Sequence, residues 1–490
     1  MDQTLHTQLD ASLNAFSIQV HQFVDQCHQA SKGSVLLAFE TGLFSLLLRF
    51  GATLFALFLE ALHRDSAFVS QCQNHAQQVG LRNSGWRKTV IYSLFGTHHT
   101  LRTPYALPDR PSRLKGRRRG RGKRGKKGSG HYLMLEALGC RANASPALLS
   151  EVCSQLGWGP SEAAAQTRLK ERGINLNHKI LRRFFRTLSD EALTQREKAL
   201  KDGQLPASSI GESLAGKRAV ICFDAGRVRT RVQHRGQPKP SGYHGFDGPW
   251  RAPRLLVIYT IDEKGRKNRQ ELPIYDGELT CAKDLFELMK KYLIALDAKN
   301  AEQLVFIADG APEHWDPIVE LIKDLGLDEG RVVEVLDWAH AVENLAKAID
   351  ACGHLSEKAR KKWLDKQRQR LKKGQLSAVL VALQMLCQGR RAKKIRPVIS
   401  YFEKHAHRMR YDHFQSISIP IGSGAVESAI RRIVNLRMKG NGIFWYPENV
   451  KRMFFIRCQL LSGRWQAFIK ALLCQDMPAV QTPAPLSLAA

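Results

Sequence analysis

The 490-residue sequence has few acidic residues for its size and lacks paired cysteines. None of its ten cysteines belongs to a Cys-x-x-Cys pair, which argues against a zinc ribbon or a disulfide framework. We expect reduced cysteines in the protein core, Cys222 among them. The polar first residues lack a basic start followed by an apolar stretch, so we expect no secretory signal and a cytoplasmic protein.

The sequence also lacks an uncharged apolar run of the ~20 residues that a membrane span needs. Residues 34–62 come nearest, but Glu40, Arg49 and Glu60 interrupt them. A charged side chain in the middle of a bilayer is costly. We therefore expect a core helix or a dimerisation helix here and no membrane partner, with a membrane helix as the alternative.

Basic residues are abundant: 75 Lys and Arg stand against 45 Asp and Glu, a formal net charge of +30. Three segments hold the excess. Residues 110–127 contain 11 basic residues and no acid, residues 356–411 contain 17 against 3, and residues 431–470 contain 9 against 1. Basic modules on a nearly neutral body are typical of enzymes that act on nucleic acids, with solubilising surface charge as the alternative.

Two of the N-terminal features predict DNA contacts. The Arg/Gly/Lys run at 110–127 indicates a flexible arm on phosphate or in the minor groove, or else a solvated linker. Residues 131–190 read as three or four short helices, which suit a helix-turn-helix; the alternative is a three-helix packing without a DNA role. The candidate contacts are Arg117, Arg118, Arg119, Arg121, Lys123, Arg124, Lys179, Arg182 and Arg183.

The central segment predicts a mixed sheet with helices on its faces. Apolar content predicts helices over residues 1–75 and a hairpin over 86–106, and the basic block 356–411 reads as helical. Further helices are expected from Ala425 to about Met438 and over 448–473. The expected strands are 217–224, 254–262, 269–275, 303–309 and 331–337, with helices after the third, fourth and fifth.

Two of these strands end in acidic residues that are followed by small residues. These acids are Asp224 and Asp309, and Glu427 follows the turn GSGAV at the start of a helix. Carboxylates at the carboxyl ends of strands stand where ligands usually bind, although such aspartates are also common turn formers and helix caps. Three converging carboxylates need a divalent cation, and oxygen ligands select Mg²⁺ or Mn²⁺. Two ions about 4 Å apart can support in-line phosphoryl transfer.

The phrases FDAGRVRTR, PIYDGEL, FIADGAPEHW, LDWAHAVENL and IPIGSGAVESAIRR occur in order over residues 215–465. They resemble bacterial insertion-sequence transposases of the DDE type, with a ribonuclease H-like core and a helical insertion before the final Glu. The resemblance implies that Asp224, Asp309 and Glu427 are the catalytic triad and hold two metal ions. It also implies a mixed five-stranded sheet with helices on both faces, double-stranded DNA as partner, a homodimer in the DNA complex, and a nucleoid-associated protein.

The implied function is binding of terminal inverted repeats, followed by metal-dependent DNA cleavage and strand transfer. A structure-specific nuclease with the same core and a non-catalytic DNA-binding protein remain the alternatives. The expected domains are 1–85, 86–130, 131–212, 213–355 (core), 356–415 (insertion), 416–475 (core completion) and a disordered tail at 476–490.

We also predict roles for five further residues. Arg431 and Arg432 are expected to contact phosphate, because they lie on the helix of Glu427. Asp337 and His340 would support the site or contact DNA, with ordinary helix packing as the alternative for His340. Trp315 would stack on an unpaired base, or else pack in the core.

Overall fold

A computed structural model describes residues 3–30, 35–96, 98–108, 130–206, 212–234, 236–237, 240–242 and 245–473. The chain divides into two compact units. One consists of residues 1–190 with the chain from 473 onward, and the other of residues 191–472.

The first unit begins with the helices α1 (Gln3–Gln29), α2 (Val35–Arg64) and α3 (Ser66–Gln78). Asp65 separates α2 from α3, because its side chain accepts the first free N–H groups of α3. The core-helix alternative at 34–62 is wrong, since only three residues of α2 are buried, and the dimerisation helix stays a prediction. By length and composition α2 could span a membrane, and 17% of its most apolar stretch is buried.

An antiparallel hairpin follows, as predicted, but it is longer than 86–106. Its strands are β1 (Leu81–Tyr92) and β2 (His98–Pro108), and the short β3 (His131–Tyr132) pairs with β2. The first strand starts at Leu81, five residues before the predicted start of the hairpin. A register shift between Asn83 and Trp86 lets the strand continue past Gly85, whose φ of +83° favours glycine.

Four helices cover the region in which three or four were predicted. They are α4 (Leu133–Ala137), α5 (Pro146–Trp158), α6 (Glu162–Glu171) and α7 (His178–Lys201). The hydroxyls of Ser145 and Ser161 accept N–H groups of the first turns of α5 and α6 and so cap both helices. Gly173, at φ +81°, follows α6.

The second unit contains a mixed five-stranded sheet, as predicted. Its strands are β4 (Arg218–Ala225), β9 (Arg254–Ile261), β10 (Ile274–Glu278), β11 (Gln303–Ala308) and β12 (Val332–Leu336). Their order is β10-β9-β4-β11-β12. The first two pairings are antiparallel, and β11 is parallel to both β4 and β12. Between β4 and β9 lie four two-residue strands, β5 (Val228–Arg229), β6 (Val232–Gln233), β7 (Phe246–Asp247) and β8 (Trp250–Arg251).

Helices cover both faces of this sheet. Successive strand residues point to opposite faces, and residues 219–223 of β4 are all buried. Phe223 meets Phe286 of α8 (Ala282–Ala295), whereas Cys222 contacts the backbone of Val426 in α15 (Gly424–Ile430). The remaining helices are α9 (Pro312–Asp324), α10 (Trp338–Asp350), α11 (Glu357–Lys372), α12 (Leu376–Leu386), α13 (Ala392–Lys404), α14 (Tyr411–Ser416), α16 (Leu436–Met438), α17 (Pro447–Leu461) and α18 (Trp465–Leu473).

Two predicted elements are wrong in their extent. The third sheet strand was expected at 269–275 but is β10, because Pro273 has no N–H to donate and the ladder starts after it. The single helix expected over 448–473 is two helices, α17 and α18. Gly463 stands between them at φ +82°, a conformation that ends the helix.

Candidate active site at the carboxyl end of the central strands

Asp224, in β4, and Asp309, the residue directly after β11, lie at equivalent positions at the ends of neighbouring strands. In the parallel pair of β4 and β11, Cys222 stands opposite Ile307, so the register continues two residues further to Asp224 beside Asp309. Neighbouring strands lie roughly 5 Å apart. The two carboxylates therefore share one edge of the sheet, as their positions after apolar runs predicted.

A histidine that the sequence analysis did not select holds Asp309. The Nδ1 atom of His314, in α9, lies 2.6 Å from Asp309 Oδ1, and the N–H of Ala311 donates to the same oxygen. Burial alone would raise the pKa of Asp309, but these hydrogen bonds and the charge of His314 lower it below its ordinary value. Asp309 is therefore kept ionised.

Asp224 experiences the opposite shift. Burial has the largest effect and raises the pKa of Asp224, and the negative charge of Asp309 raises it further. The N–H of Ala225 and the imidazoles of His340 and His314 lower this pKa, but the net shift is upward. Two carboxylates at one sheet edge repel each other, so a cation between them would stabilise the ionised pair.

The residues fit a divalent cation by donor chemistry. Among the described residues, the hydrogen bonds to Asp224 and Asp309 all reach Oδ1, which leaves each Oδ2 available. Carboxylate oxygens are the ligands that Mg²⁺ and Mn²⁺ prefer. In the described part of the chain, no three His, Cys, Asp or Glu side chains lie close enough to hold a metal together, so Glu427 does not join the two aspartates in this conformation.

Glu427 is exposed on the first turn of α15, which packs against β4 and β9. Asp337, only 1% exposed, anchors the start of this helix. The N–H and the hydroxyl of Ser423 donate to the Asp337 carboxylate at 3.0 and 2.8 Å. The loop before α15 is thereby tied to the end of β12, the strand beyond the one that carries Asp309.

The same carboxylate holds His340, whose Nδ1 lies 2.6 Å from Asp337 Oδ2. This hydrogen bond raises the pKa of His340 to about 9. Burial would raise the pKa of Asp337, but its bonds to His340 and Ser423 lower it on balance. At neutral pH the site therefore contains an imidazolium whose charge acts on both Asp224 and Asp309.

The basic block 356–411 is helical as predicted, and its end also contacts the site. His405 Nε2 donates to the carbonyl of Gly310 at 3.1 Å. The ring of Tyr401, in α13, lies so close to Gly310 that a Cβ there would meet it at 2.0 Å. Gly310 is thus needed for close approach, and the block supports the turn that carries Asp309.

The base-stacking role of Trp315 is wrong, and the core alternative is confirmed. Its side chain is 1% exposed, its Nε1 donates to the carbonyl of Asp309 at 2.6 Å, and Arg408 covers the ring at 4.1 Å. No base can reach it. Trp315 instead fixes the backbone of Asp309 from beneath.

The residues expected to contact phosphate differ in their exposure to solvent. Arg431 is exposed in a π-helical turn, Arg431–Asn435, that continues α15. Arg432 is half-buried and donates to the Tyr275 hydroxyl at 3.3 Å. Lys179, Arg182 and Arg183 are exposed along α7, with Arg182 bonded to Glu162. The candidates in the arm, Arg117, Arg118, Arg119, Arg121, Lys123 and Arg124, lie outside the described residues.

Four residues of the site were therefore not predicted from the sequence: His314, Ser423, Tyr401 and His405. His314 had a detectable signal, since a histidine five residues after a strand-terminal Asp falls on the first turn of the next helix. The others contact the site from distant parts of the chain. In comparisons with known proteins, the chain matches no family model and no curated protein sequence.

Proposed function

We propose that this chain is a DNA transposase of the DDE type, acting as a homodimer on the ends of its own element. The observation that carries the proposal is the position of Asp224 and Asp309 at the carboxyl ends of the adjacent parallel strands β4 and β11. The sheet order supports it: three antiparallel strands followed by two parallel ones, with the first strand central, is the arrangement of ribonuclease H-like cores.

The role proposed for Glu427 requires a change of conformation, because Glu427 does not join the two aspartates in the structure described here. Asp224 and Asp309, with Glu427 from α15, would hold Mg²⁺ or Mn²⁺, which supplies activation of the attacking oxygen and stabilisation of the leaving one. His314 keeps Asp309 ionised and oriented. His340, held cationic by Asp337, is available to a phosphate oxygen of the DNA.

The acids repel the DNA backbone, so the proposal needs basic residues elsewhere in the chain to bind its phosphates. Lys179, Arg182 and Arg183 occupy positions i, i+3 and i+4 of α7 and so lie on one helix face. Such a face would bind phosphates without reading sequence. Arg431, in the second unit, is a separate candidate for a phosphate contact.

The test uses purified protein, Mg²⁺ and linear DNA containing both flanks of the gene. We expect cleavage at the element ends and products joined to a target plasmid. Asp309→Asn should reduce both by at least about a thousandfold, as loss of an essential metal ligand does. The matched control is Asp316→Asn, an exposed acid on α9, which should retain activity.

Three outcomes contradict the proposal in different ways. Cleavage without joined products would indicate a structure-specific nuclease. DNA binding with no cleavage by the unsubstituted chain would indicate a non-catalytic DNA-binding protein. Equal activity of Asp309→Asn and Asp316→Asn would remove Asp309 from the chemistry.

A further inference from the structure

The segment between β4 and β9 forms a small ribbon directly after Asp224. Its strand β5 pairs with β8, and β6 pairs with β7, both antiparallel. The segment around Trp445 lies along its other side. The N–H of Arg231 donates to the carbonyl of Trp445 at 2.7 Å, and the N–H of Trp445 donates to the carbonyl of Arg229 at 3.0 Å. The ribbon is therefore held on both sides.

This ribbon is basic, although it lies outside the three charged segments identified from composition. Residues 226–251 contain six Lys and Arg and one acid. Arginines alternate with other residues at 227, 229 and 231. Val228 and Thr230 are buried while Arg229 is exposed, so alternation places the arginines on the outer face.

Aromatic rings lie between these arginines. The guanidinium of Arg229 is 5.3 Å from the ring centres of Trp250 and Phe444, and that of Arg231 is 4.4 Å from Phe246. Arg231 is also 5.8 Å from the ring of Tyr446. We call this set the arginine–aromatic surface: Arg229, Arg231, Phe246, Trp250, Phe444 and Tyr446.

The surface is open and its positive charge is uncompensated. Trp250 is 52% exposed, and Phe246 and Tyr446 are also exposed. Within the described chain, no carboxylate forms an ion pair with Arg227, Arg229, Arg231 or Arg251, and Asp247 pairs with His234 instead. The Nε atom of Arg231 is buried without a hydrogen-bond partner.

Exposed rings alternating with unpaired guanidinium groups match the chemistry of unpaired nucleotides. Bases stack on aromatic faces and on guanidinium planes, while phosphates pair with arginine charge. In duplex DNA the base faces are covered by their neighbours, so stacking of this kind requires a frayed or single-stranded end. An acidic peptide would satisfy the arginines and leave the rings uncovered.

We propose that the arginine–aromatic surface binds unpaired bases of single-stranded DNA. The inference rests on the proposed function for its ligand, because strand cleavage exposes such an end. Arg229 follows Asp224 by five residues, a reach of at most about 18 Å, so a strand bound there lies near the candidate site.

The experiment measures fluorescence anisotropy of the full chain with EDTA present, so that binding is read without cleavage. The probes are an oligothymidylate of about 15 nucleotides, an abasic strand of equal length, and a blunt duplex. Trp250→Ala should weaken oligothymidylate binding about 5- to 150-fold, the value of one stacked base. Duplex binding should stay within about twofold, since arginine charge is unchanged.

Trp158→Ala is the matched control, because Trp158 is 50% exposed in the other unit. Phe246→Leu, which keeps apolar bulk and removes a ring, should also weaken oligothymidylate binding, and circular dichroism verifies folding of each variant. The proposal is overturned if Trp250→Ala equals Trp158→Ala, or if the abasic strand binds as tightly as oligothymidylate. A different result would refute the proposed transposase and leave this surface standing: the unsubstituted chain binds oligothymidylate as expected but does not cleave element-end DNA when Mg²⁺ is supplied.

Discussion

Replacing Ser423 by alanine tests whether Asp337 positions the helix that carries Glu427. The substitution removes a hydroxyl that donates to a carboxylate with almost no exposure to water, at 2.8 Å. The backbone N–H of residue 423 still donates to Asp337, and His340 still bonds its Oδ2 atom. The helix start should therefore loosen without being released.

The expected loss follows from the charge of the acceptor. A hydrogen bond to a charged group contributes about 1.5–3 kcal/mol, so we expect about 2 kcal/mol of local stability to be lost. The amides of Val426 and Glu427 donate to the carbonyl of Ser423 and report directly on this turn. A loss of about 2 kcal/mol corresponds to roughly 30-fold faster exchange of these amides.

Hydrogen exchange followed by mass spectrometry measures this locally and needs no two-state unfolding. The control is Ser416→Ala, whose surface hydroxyl donates to the carbonyl of His413. DNA cleavage should fall about tenfold while DNA affinity is retained, since about 1.4 kcal/mol of lost positioning is tenfold in rate. Exchange at 426–427 changing by less than about threefold, or equally in the control, would refute the anchoring role.

Two further predictions concern the same sheet edge. Gly310→Ala should destabilise the second unit by about 1–3 kcal/mol in urea unfolding, because its Cβ would meet the Tyr401 ring. Gly353→Ala, where a Cβ meets nothing, is the control, and Tyr401→Ala should partly rescue the variant. The stability that His340 contributes should be complete below pH 6.5 and disappear as pH rises through about 9, because its pKa is raised in the folded protein. His340→Gln should therefore cost about 1–2 kcal/mol at pH 6, discounted for its partial exposure, and little at pH 10; an equal cost at both would contradict the ion pair.

The central sheet was predictable because its buried strands are continuous apolar runs. Such a run before Asp224 or Asp309 has few structural alternatives, and small residues after each acid mark the strand end. The position of β10 was missed because apolar and polar residues around Pro273 do not show where hydrogen bonding begins. Helix α2 was misjudged because apolar composition does not report which surface covers it.

The surroundings of the acids were less predictable, for a topological reason. Ser423 meets Asp337 across 86 positions of sequence, and His405 meets Gly310 across 95. No local pattern encodes such pairings. The ribbon after β4 has a sequence signal, its alternating arginines. A count of charge over longer segments does not detect this short basic stretch.

The order of the elements along the chain also determines when each part of the candidate site is synthesised. All five strands have left the ribosome's active centre once Leu336 is added, whereas α15 begins 88 residues later, at Gly424. At about 5–20 residues per second this interval lasts roughly 4–18 s. His405 and Tyr401, which pack on the Asp309 turn, are also made before Glu427. A nascent chain therefore passes through a period in which the two aspartates are already present and the third acid of the proposed site has yet to be translated.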